Sequence, residues 1–504
     1  METRSAKKRK IQNPNHSPEN YTGEDRITDL PDAILHHILL LLPIKTIVRT
    51  SILSKRWRTL WYTFPDLDFT SIIPSIIPSG TALTTTKIVN LKNLGNGNVI
   101  TRILSLRDKL SDVRTLRFDA YMSFSGLQAL IRHAVRLSVQ ELDIRVETSD
   151  IFNFPRSIIT HDCLRVLKMK AYPSFRLPPS RIMRSGFQTL QTLSLSHVYL
   201  DNQSSLPDMF TDCSFPQLKK LRLKACYSLK YLRVGCRLLE ELVLKKCSSL
   251  QGLEILSLRL VTLKVSNCFR VSNIYWLQIN TPRLRTLIWV NNSIPSKNCM
   301  QNLVCLHEAT VGFLVTQQDL DAERLRNMSS FLSGLSHAVS LTLERPIVEI
   351  MSKNNPLVAI FFNPFTKLKS LELQTSEILC LASVLKVCPI IHTLIIKITC
   401  IYKWERRRNR LSWDLSSSWE EKYWESQTED LKHLLHHLKV VKIQGFSEYE
   451  ISLVKFLLQH GKVLQDLILH LGDNNSRAYR RHDKLKSRIM GFSRGSVDVK
   501  LAFH

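Results

Sequence analysis

The feature that most constrains this chain is a recurring triplet of apolar residues, apolar-x-x-apolar-x-apolar. It appears as Val113–Leu116–Phe118, Val139–Leu142–Ile144, Leu164–Leu167–Met169 and Leu190–Leu193–Leu195. It continues as Leu218–Leu221–Leu223, Leu239–Leu242–Leu244, Leu260–Leu263–Val265 and Leu284–Leu287–Trp289. The central residues from Leu116 to Leu287 lie 26, 25, 26, 28, 21, 21 and 24 positions apart. Further copies are Leu368–Leu371–Leu373, Ile391–Leu394–Ile396, Leu438–Val441–Ile443 and Leu464–Leu467–Leu469, with weaker ones near Ala309 and Leu341. A single copy cannot bury its apolar side alone. Stacked copies bury a continuous core, and their short strands then form a parallel ladder.

The spacing matches a leucine-rich repeat. Cys226, Cys247 and Cys268 each follow the last apolar strand position by three residues. That is the Asn/Cys position of the repeat, where a small side chain suits a stacked, buried turn. The expected fold is therefore α/β. A small N-terminal helical unit precedes a solenoid over residues 101–400, with a parallel strand ladder and a helical or irregular outer face. The variable strand positions face a concave surface and are free to specify a ligand. Candidate target-binding residues there are Arg165, Lys168, Lys219, Arg222, Lys245, Lys264 and Arg285.

Upstream, residues 25–64 carry a different period. Leu30-Pro31-Asp32 opens a helix, because proline suits the first turn, where its missing N–H costs nothing. Ile34, Leu35, Ile38, Leu39 and Leu42 recur at helical spacing, and Pro43 closes the run. A second helix carries Ile44, Ile47, Val48 and Ile52. Ser54 is the expected N-cap of a third, with Trp57, Leu60, Trp61 and Phe64 on one face. A bundle this small is under-stabilised by its own core. It has more apolar residues than it can bury and requires a partner surface.

The remaining segments read as follows. Residues 1–24 form a polar tail with the basic run Lys7-Lys8-Arg9-Lys10. Residues 71–100 are a linker broken by Pro74, Pro78, Gly80, Gly95 and Gly97. Residues 401–425 are an insertion holding Trp404, Trp413, Trp419 and Trp424 among Arg406, Arg407, Arg408 and Arg410. Its tryptophans are expected to pack on the end of the solenoid rather than to stack on single-stranded nucleic acid. Residues 426–472 return to the repeat pattern with a helix from Glu448 to Gln459 and cap the solenoid. Residues 473–504, with eight Lys/Arg against three Asp/Glu, read as a basic, flexible tail.

The chain carries a net charge of +27, spread along its length. Such charge favours acidic partners. The first 26 residues contain no apolar h-region, and the run Ile34–Leu42 is too short to span a bilayer. The protein is expected in the nucleus and/or cytoplasm, with its eleven cysteines reduced. No Gly-x-Ser-x-Gly, His-Glu-x-x-His or Walker motif occurs, and no Cys-x-x-Cys pair. No catalysis, metal or cofactor is expected; a Cys388/His392 pair is the one enzyme-like juxtaposition, read as a core thiol beside a surface imidazole.

The stretch Arg26-Ile27-Thr28-Asp29-Leu30-Pro31-Asp32 through Leu53-Ser54-Lys55-Arg56-Trp57-Arg58-Thr59-Leu60-Trp61 closely resembles the plant-type F-box. The repeats resemble those of plant F-box/leucine-rich-repeat proteins. His437-Leu438-Lys439-Val440-Val441-Lys442-Ile443-Gln444-Gly445-Phe446 is similar to the start of their C-terminal FBD region. The resemblance implies a three-helix F-box over 25–70 that packs on a Skp-type adaptor and through it joins a cullin. It implies a non-catalytic substrate-recognition subunit of an SCF-type ubiquitin ligase, with a protein target on the repeats. The residues themselves point to no membrane partner, and the less favoured alternative is a basic nucleic-acid-associated or other protein-interaction scaffold not coupled to a ligase. Carried onto this chain, the adaptor-binding residues are Leu30, Pro31, Ile34, Leu35, Ile38, Pro43, Ile44, Val48, Leu53, Ser54, Lys55, Trp57 and Leu60. From Ala33 to Pro65 there are five Lys/Arg and no Asp or Glu, so an acidic adaptor would be attracted and oriented.

Overall fold

The computed structural model describes residues 27, 29–50, 52, 54–70, 96–105, 112–184, 186–200, 209–270, 275–315, 321–353, 365, 367–399, 417–471 and 479–504. The basic run at 7–10, the residues 71–95 and the insertion's Trp404, Trp413 and arginines lie outside these. The chain divides into two compact units at Phe64/Pro65.

The first unit contains three helices: α1 (Asp32–Leu40), α2 (Ile44–Thr50) and α3 (Lys55–Thr63). Pro31 precedes α1 in extended geometry, as its fixed φ and missing N–H require. The Ser54 hydroxyl accepts from the Trp57 N–H at 3.3 Å and starts α3. α3 packs against both α1 and α2.

The second unit is the solenoid. Its ladder is parallel throughout, and its register follows the central apolar residues. Leu67 pairs with Leu116, then Leu142, Leu167, Leu193, Leu221, Leu242, Leu263 and Leu287 follow in turn. Ala309, Leu341, Leu371, Leu394, Val441, Leu467 and Leu501 complete it. With the short strand Phe152–Asn153, seventeen strands join among the described residues. The two weak copies at Ala309 and Leu341 are thus full rungs.

Three features depart from the sequence expectation. First, the outer face is not helical or irregular everywhere. Between Leu193 and Ala309 the repeats return through a second parallel sheet of five strands, Phe210–Thr211, Tyr231–Gly235, Gly252–Ile255, Trp276–Asn280 and Lys297–Gln301. The last four of these strands fall in the repeats with the shortest spacing, and the return segments there follow a period of two. Leu232 and Val234 are buried while Tyr231 and Arg233 face out. Longer repeats have room for helices, such as α5 (Phe124–Arg136), Ala322–Ser333 and Ile451–His460.

Second, the boundaries move at the N-terminal side. Asp66–Asp68 is the first strand of the ladder rather than the end of the helical unit. The segment read as a glycine-broken linker already contains the start of α4 (Asn96–Ser105). Third, residues 479–504 of the segment expected to be a flexible tail are ordered. Tyr479–Met490 is a helix, and Lys500–Phe503 adds the last parallel strand, covering the edge of Asp466–Leu471. The capping helix begins as expected. Ser447 and Glu450 form a reciprocal capping box ahead of Ile451–His460.

Aromatic residues fill the interior between rungs. Phe124, Phe152, Phe175, Phe154, Phe187 and Phe215 are in ring contact one after another, with centroids 5.3–6.3 Å apart. Tyr275, Phe269, Trp289 and Phe331 continue the series further along.

Candidate functional site

The helical unit has a core and a surplus. Leu35 and Leu39 of α1, Ile44 and Ile47 of α2, and Trp57, Leu60 and Phe64 of or beside α3 are buried. Arg56 of α3 ties the bundle together. Its guanidinium bridges Asp32 at 2.7 Å and donates to the Leu30 carbonyl. Outside this core, Ile34 is 47% exposed, Leu41 77% and Ile52 81%; Ile27 and Leu40 are also exposed. Pro31 and Pro43 are exposed as well. Burying surface of this kind is worth about 25 cal/mol per Å².

The expected adaptor-binding residues therefore separate into two groups. Pro31, Ile34, Pro43 and Lys55 are exposed, and Leu30, Ile38 and Ser54 are half-buried. Leu35, Ile44, Trp57 and Leu60 lie in the core and shape the surface without presenting themselves on it. Leu53 and the Val48 side chain lie outside the described residues. Leu40, Leu41 and Ile52 were missed as surface candidates. The signal was present in the run Leu39-Leu40-Leu41-Leu42: at 3.6 residues per turn, four consecutive leucines cannot all face one core.

On the solenoid, Lys168, Arg222 and Lys264 share one outward row, joined through Ser194 and Val243. Lys245 occupies the next row, opposite Lys224, with Lys170 two rungs before that. Arg165, Lys219 and Arg285 are not on these rows. They sit just ahead of their strands, where each carbonyl accepts two N–H groups of the following rung. Arg222 is clamped by Glu241 at 2.9 Å, which offsets its charge. Sequence reasoning missed the companions Lys170, Lys224 and Lys246. They surround His197, whose imidazole is held below its usual range by burial and by those three ammonium groups.

Five successive rungs turn through the left-handed region two residues after the last apolar strand position. His197, Ala225, Lys246, Asn267 and Asn291 have φ of 61, 52, 57, 54 and 54°. The next residue is the buried turn position. Cys226, Cys247 and Cys268 occupy it, as expected, and Asn292 takes the fourth place. The Asn292 amide accepts from the N–H groups of Cys268 and Phe269 at 2.8 and 3.2 Å and donates to the Val265 carbonyl at 3.0 Å. It was legible as the residue three past Trp289. Hydrogen bonding with Cys247 and burial hold the Cys226 thiol well above the usual range. Burial likewise raises Cys268.

The enzyme-like pair does not suit nucleophilic chemistry. Burial pushes the Cys388 thiol up to about 12, while His392 is lowered by burial and by Lys439. A nucleophilic cysteine requires the opposite shift. In the Trp/Arg-rich insertion, Trp424 is fully buried against Phe456, with ring centroids 5.6 Å apart. Trp419 stacks on Tyr423. Among the described residues no helix is long and apolar enough to cross a membrane.

Comparison with known proteins fits this division of the chain. The F-box domain model matches residues 27–68, the LRR domain model named for At1g61320/AtMIF1 matches 108–307, and the FBD model matches 427–469. The Arabidopsis thaliana F-box/FBD/LRR-repeat protein At4g03220 is 42% identical over 516 residues, covering 100% of both chains. The chain belongs to the F-box/FBD/LRR-repeat family. A second Arabidopsis member, At5g44950, is 24% identical across 90% of this chain and 93% of its own. A third, At3g52680, is 30% identical over 40% of this chain and 41% of its own. In this F-box/FBD/LRR-repeat protein the F-box is thus the α1–α3 unit with its exposed apolar surplus. The FBD supplies the two rungs before the last, the strands Val440–Phe446 and Asp466–Leu471.

Proposed function

We propose that this F-box/FBD/LRR-repeat protein is the substrate-recognition subunit of an SCF-type (Skp–cullin–F-box) ubiquitin ligase. The F-box docks a Skp-type adaptor that leads to a cullin, and the solenoid holds a protein target for ubiquitination. The observation that carries this reading is the exposure of Ile34, Leu41 and Ile52 on a unit whose core is already filled. Small soluble domains rarely leave such apolar groups uncovered without a partner. Catalysis belongs to other subunits. This chain contributes effective concentration, holding the target near a ubiquitin-charged enzyme. The compartment is the nucleus and/or cytoplasm.

The test is capture of the full chain by a purified Skp-type adaptor, compared with the Ile34→Glu variant. Capture by the parent and its loss in the variant, with unchanged thermal unfolding, supports the reading. No capture of the folded parent chain refutes it.

A further inference from the structure

The solenoid contains a cleft of about 580 Å³ that the ligase reading does not use. One wall is a face of α5, where Phe124, Gln128 and Arg132 recur at every fourth residue. The opposite wall is the segment Asn153–Ser157, and the third side is Arg176–Pro179. Register fixes the last two: Asn153 pairs with Arg176, and the Phe154 N–H donates to the Arg176 carbonyl at 2.8 Å. Beneath them the contacts of Phe124, Phe152, Phe154 and Phe175 make a packed floor.

Three guanidiniums, Arg132, Arg156 and Arg176, line this one cleft, and no carboxylate does. Each comes from a different element and each is exposed. Among the described residues none of the three is ion-paired, although Arg176 lies over the Tyr199 ring at 5.8 Å. Elsewhere on the solenoid, arginines find acids: Arg114 clasps Asp66, Arg222 holds Glu241, and Arg237 holds Asp212. Here the charge is left over. Pro155, Pro178 and Pro179 stiffen the rim, so the arrangement is formed before any ligand arrives. Gln128, Asn153 and Ser157 add neutral hydrogen-bonding groups.

We propose that this cleft binds a phosphorylated serine or threonine of the protein target, with an adjacent apolar side chain against Phe124 and Leu177. A phosphate monoester carries close to two negative charges and three acceptor oxygens, and so accepts from three guanidinium forks better than a single carboxylate would. The volume suits one modified side chain and its neighbour. Nucleic acid fits less well, because the floor rings Phe152, Phe154 and Phe175 are buried and offer no face for a base to stack on. The proposal rests on the reading of the solenoid as a target receptor.

The experiment uses the full chain and fluorescein-labelled degenerate peptide pools centred on phosphothreonine, phosphoserine, threonine or glutamate, read by fluorescence anisotropy. The phosphorylated pools are expected to bind, and the threonine pool to fail. Arg132→Gln, Arg156→Gln and Arg176→Gln should each weaken binding about tenfold or more. Arg156→Lys should retain part of the affinity, because charge remains without the bidentate fork. The Lys462→Gln/Lys484→Gln double variant, which removes two exposed charges near the C-terminal end of the solenoid, should leave binding unchanged. Equal binding of all pools overturns the proposal. So does a loss as large in the lysine variant, tighter binding of a single-stranded oligonucleotide, or inorganic phosphate binding as tightly as the pools. Adaptor capture is measured on the same preparations. Failure in the peptide assay with capture intact refutes the cleft alone, whereas failed capture with phosphopeptide binding intact refutes the ligase reading.

Discussion

In the F-box, Ile34, Leu41 and Ile52 stay 47, 77 and 81% exposed, whereas every central ladder residue from Leu67 to Leu467 is buried. Both regions are rich in Leu and Ile. The difference is geometric. Three short helices enclose too little volume to cover all their apolar faces, while each solenoid rung is covered by the next. The solenoid closes its C-terminal end with its own strand, Lys500–Phe503. The F-box leaves apolar groups uncovered. A mutation in the solenoid should thus act on stability, and one on the F-box surface on association.

The largest effect is expected at Trp289, which is fully buried between Phe269 and Phe331. Trp289→Ala should destabilise the solenoid by about 3–5 kcal/mol, the range for emptying an aromatic site in a packed core. Chemical denaturation followed by circular dichroism measures it, and adaptor capture by the F-box should survive at temperatures where the variant remains folded. A loss below about 1 kcal/mol would mean that this part of the core is loosely packed.

Asn292 comes next. Its replacement by alanine strands two N–H groups and one carbonyl in a buried turn, at a cost of about 2–4 kcal/mol. Asn292→Cys tests whether the turn position is interchangeable between rungs. Cys268 offers weaker thiol contacts, to the Ser266 carbonyl at 3.3 Å and with Cys247, so the cysteine variant should fall between alanine and the parent. Equal stability of the cysteine variant and the parent would show that the amide bonds are dispensable.

The ladder was legible because one leucine per rung is dictated by stacking, so the chain prints its own register at Leu116, Leu142, Leu167 and onward. Ala309 was weak only because its side chain is small. What escaped detection was encoded in a different period. The outer strands carry Leu232/Val234, Leu253/Ile255 and Leu277/Ile279, a period-two pattern as regular as the ladder's but hidden between stronger motifs. The last rung escaped because Asp498 stands where the triplet before Leu501 needs an apolar residue, and a full helix separates it from Leu467. In the F-box, helical spacing identified the apolar residues but not which of them the core would claim: Leu35 went in and Ile34 stayed out. The three-arginine cleft was not legible, since Arg132, Arg156 and Arg176 come together only once Asn153 pairs with Arg176.

The F-box itself sharpens the contrast at adjacent positions. Leu35→Ala should unfold the small bundle, costing about 2–4 kcal/mol. Ile34→Glu should change stability by less than about 0.5 kcal/mol and yet abolish adaptor capture. Thermal unfolding and pull-down on the same samples separate the two. If Ile34→Glu still captured the adaptor, the exposed face of α1 would not be the contact.

The smallest effect is a pH dependence that belongs to the solenoid alone, because the first cysteine in the chain is Cys163. Burial pushes the Cys236 and Cys388 thiols up to about 12, above the ordinary thiol value of 9.0. Below about pH 9 both thiols are protonated in the folded and the unfolded chain, and their burial is fully compatible with stability. Between pH 9 and 12 the unfolded chain releases protons that the folded solenoid retains. The unfolded state then binds fewer protons, so unfolding becomes more favourable as pH rises. A Cys236→Ala/Cys388→Ala variant should start less stable at neutral pH, because two core side chains are trimmed, but lose stability less steeply above pH 9. The lysines and tyrosines titrate in both proteins, so the difference in slope reports the thiols. Identical alkaline slopes would mean that these two thiols titrate alike in the folded and unfolded chains, and that the solenoid is less tightly closed around them than their burial indicates.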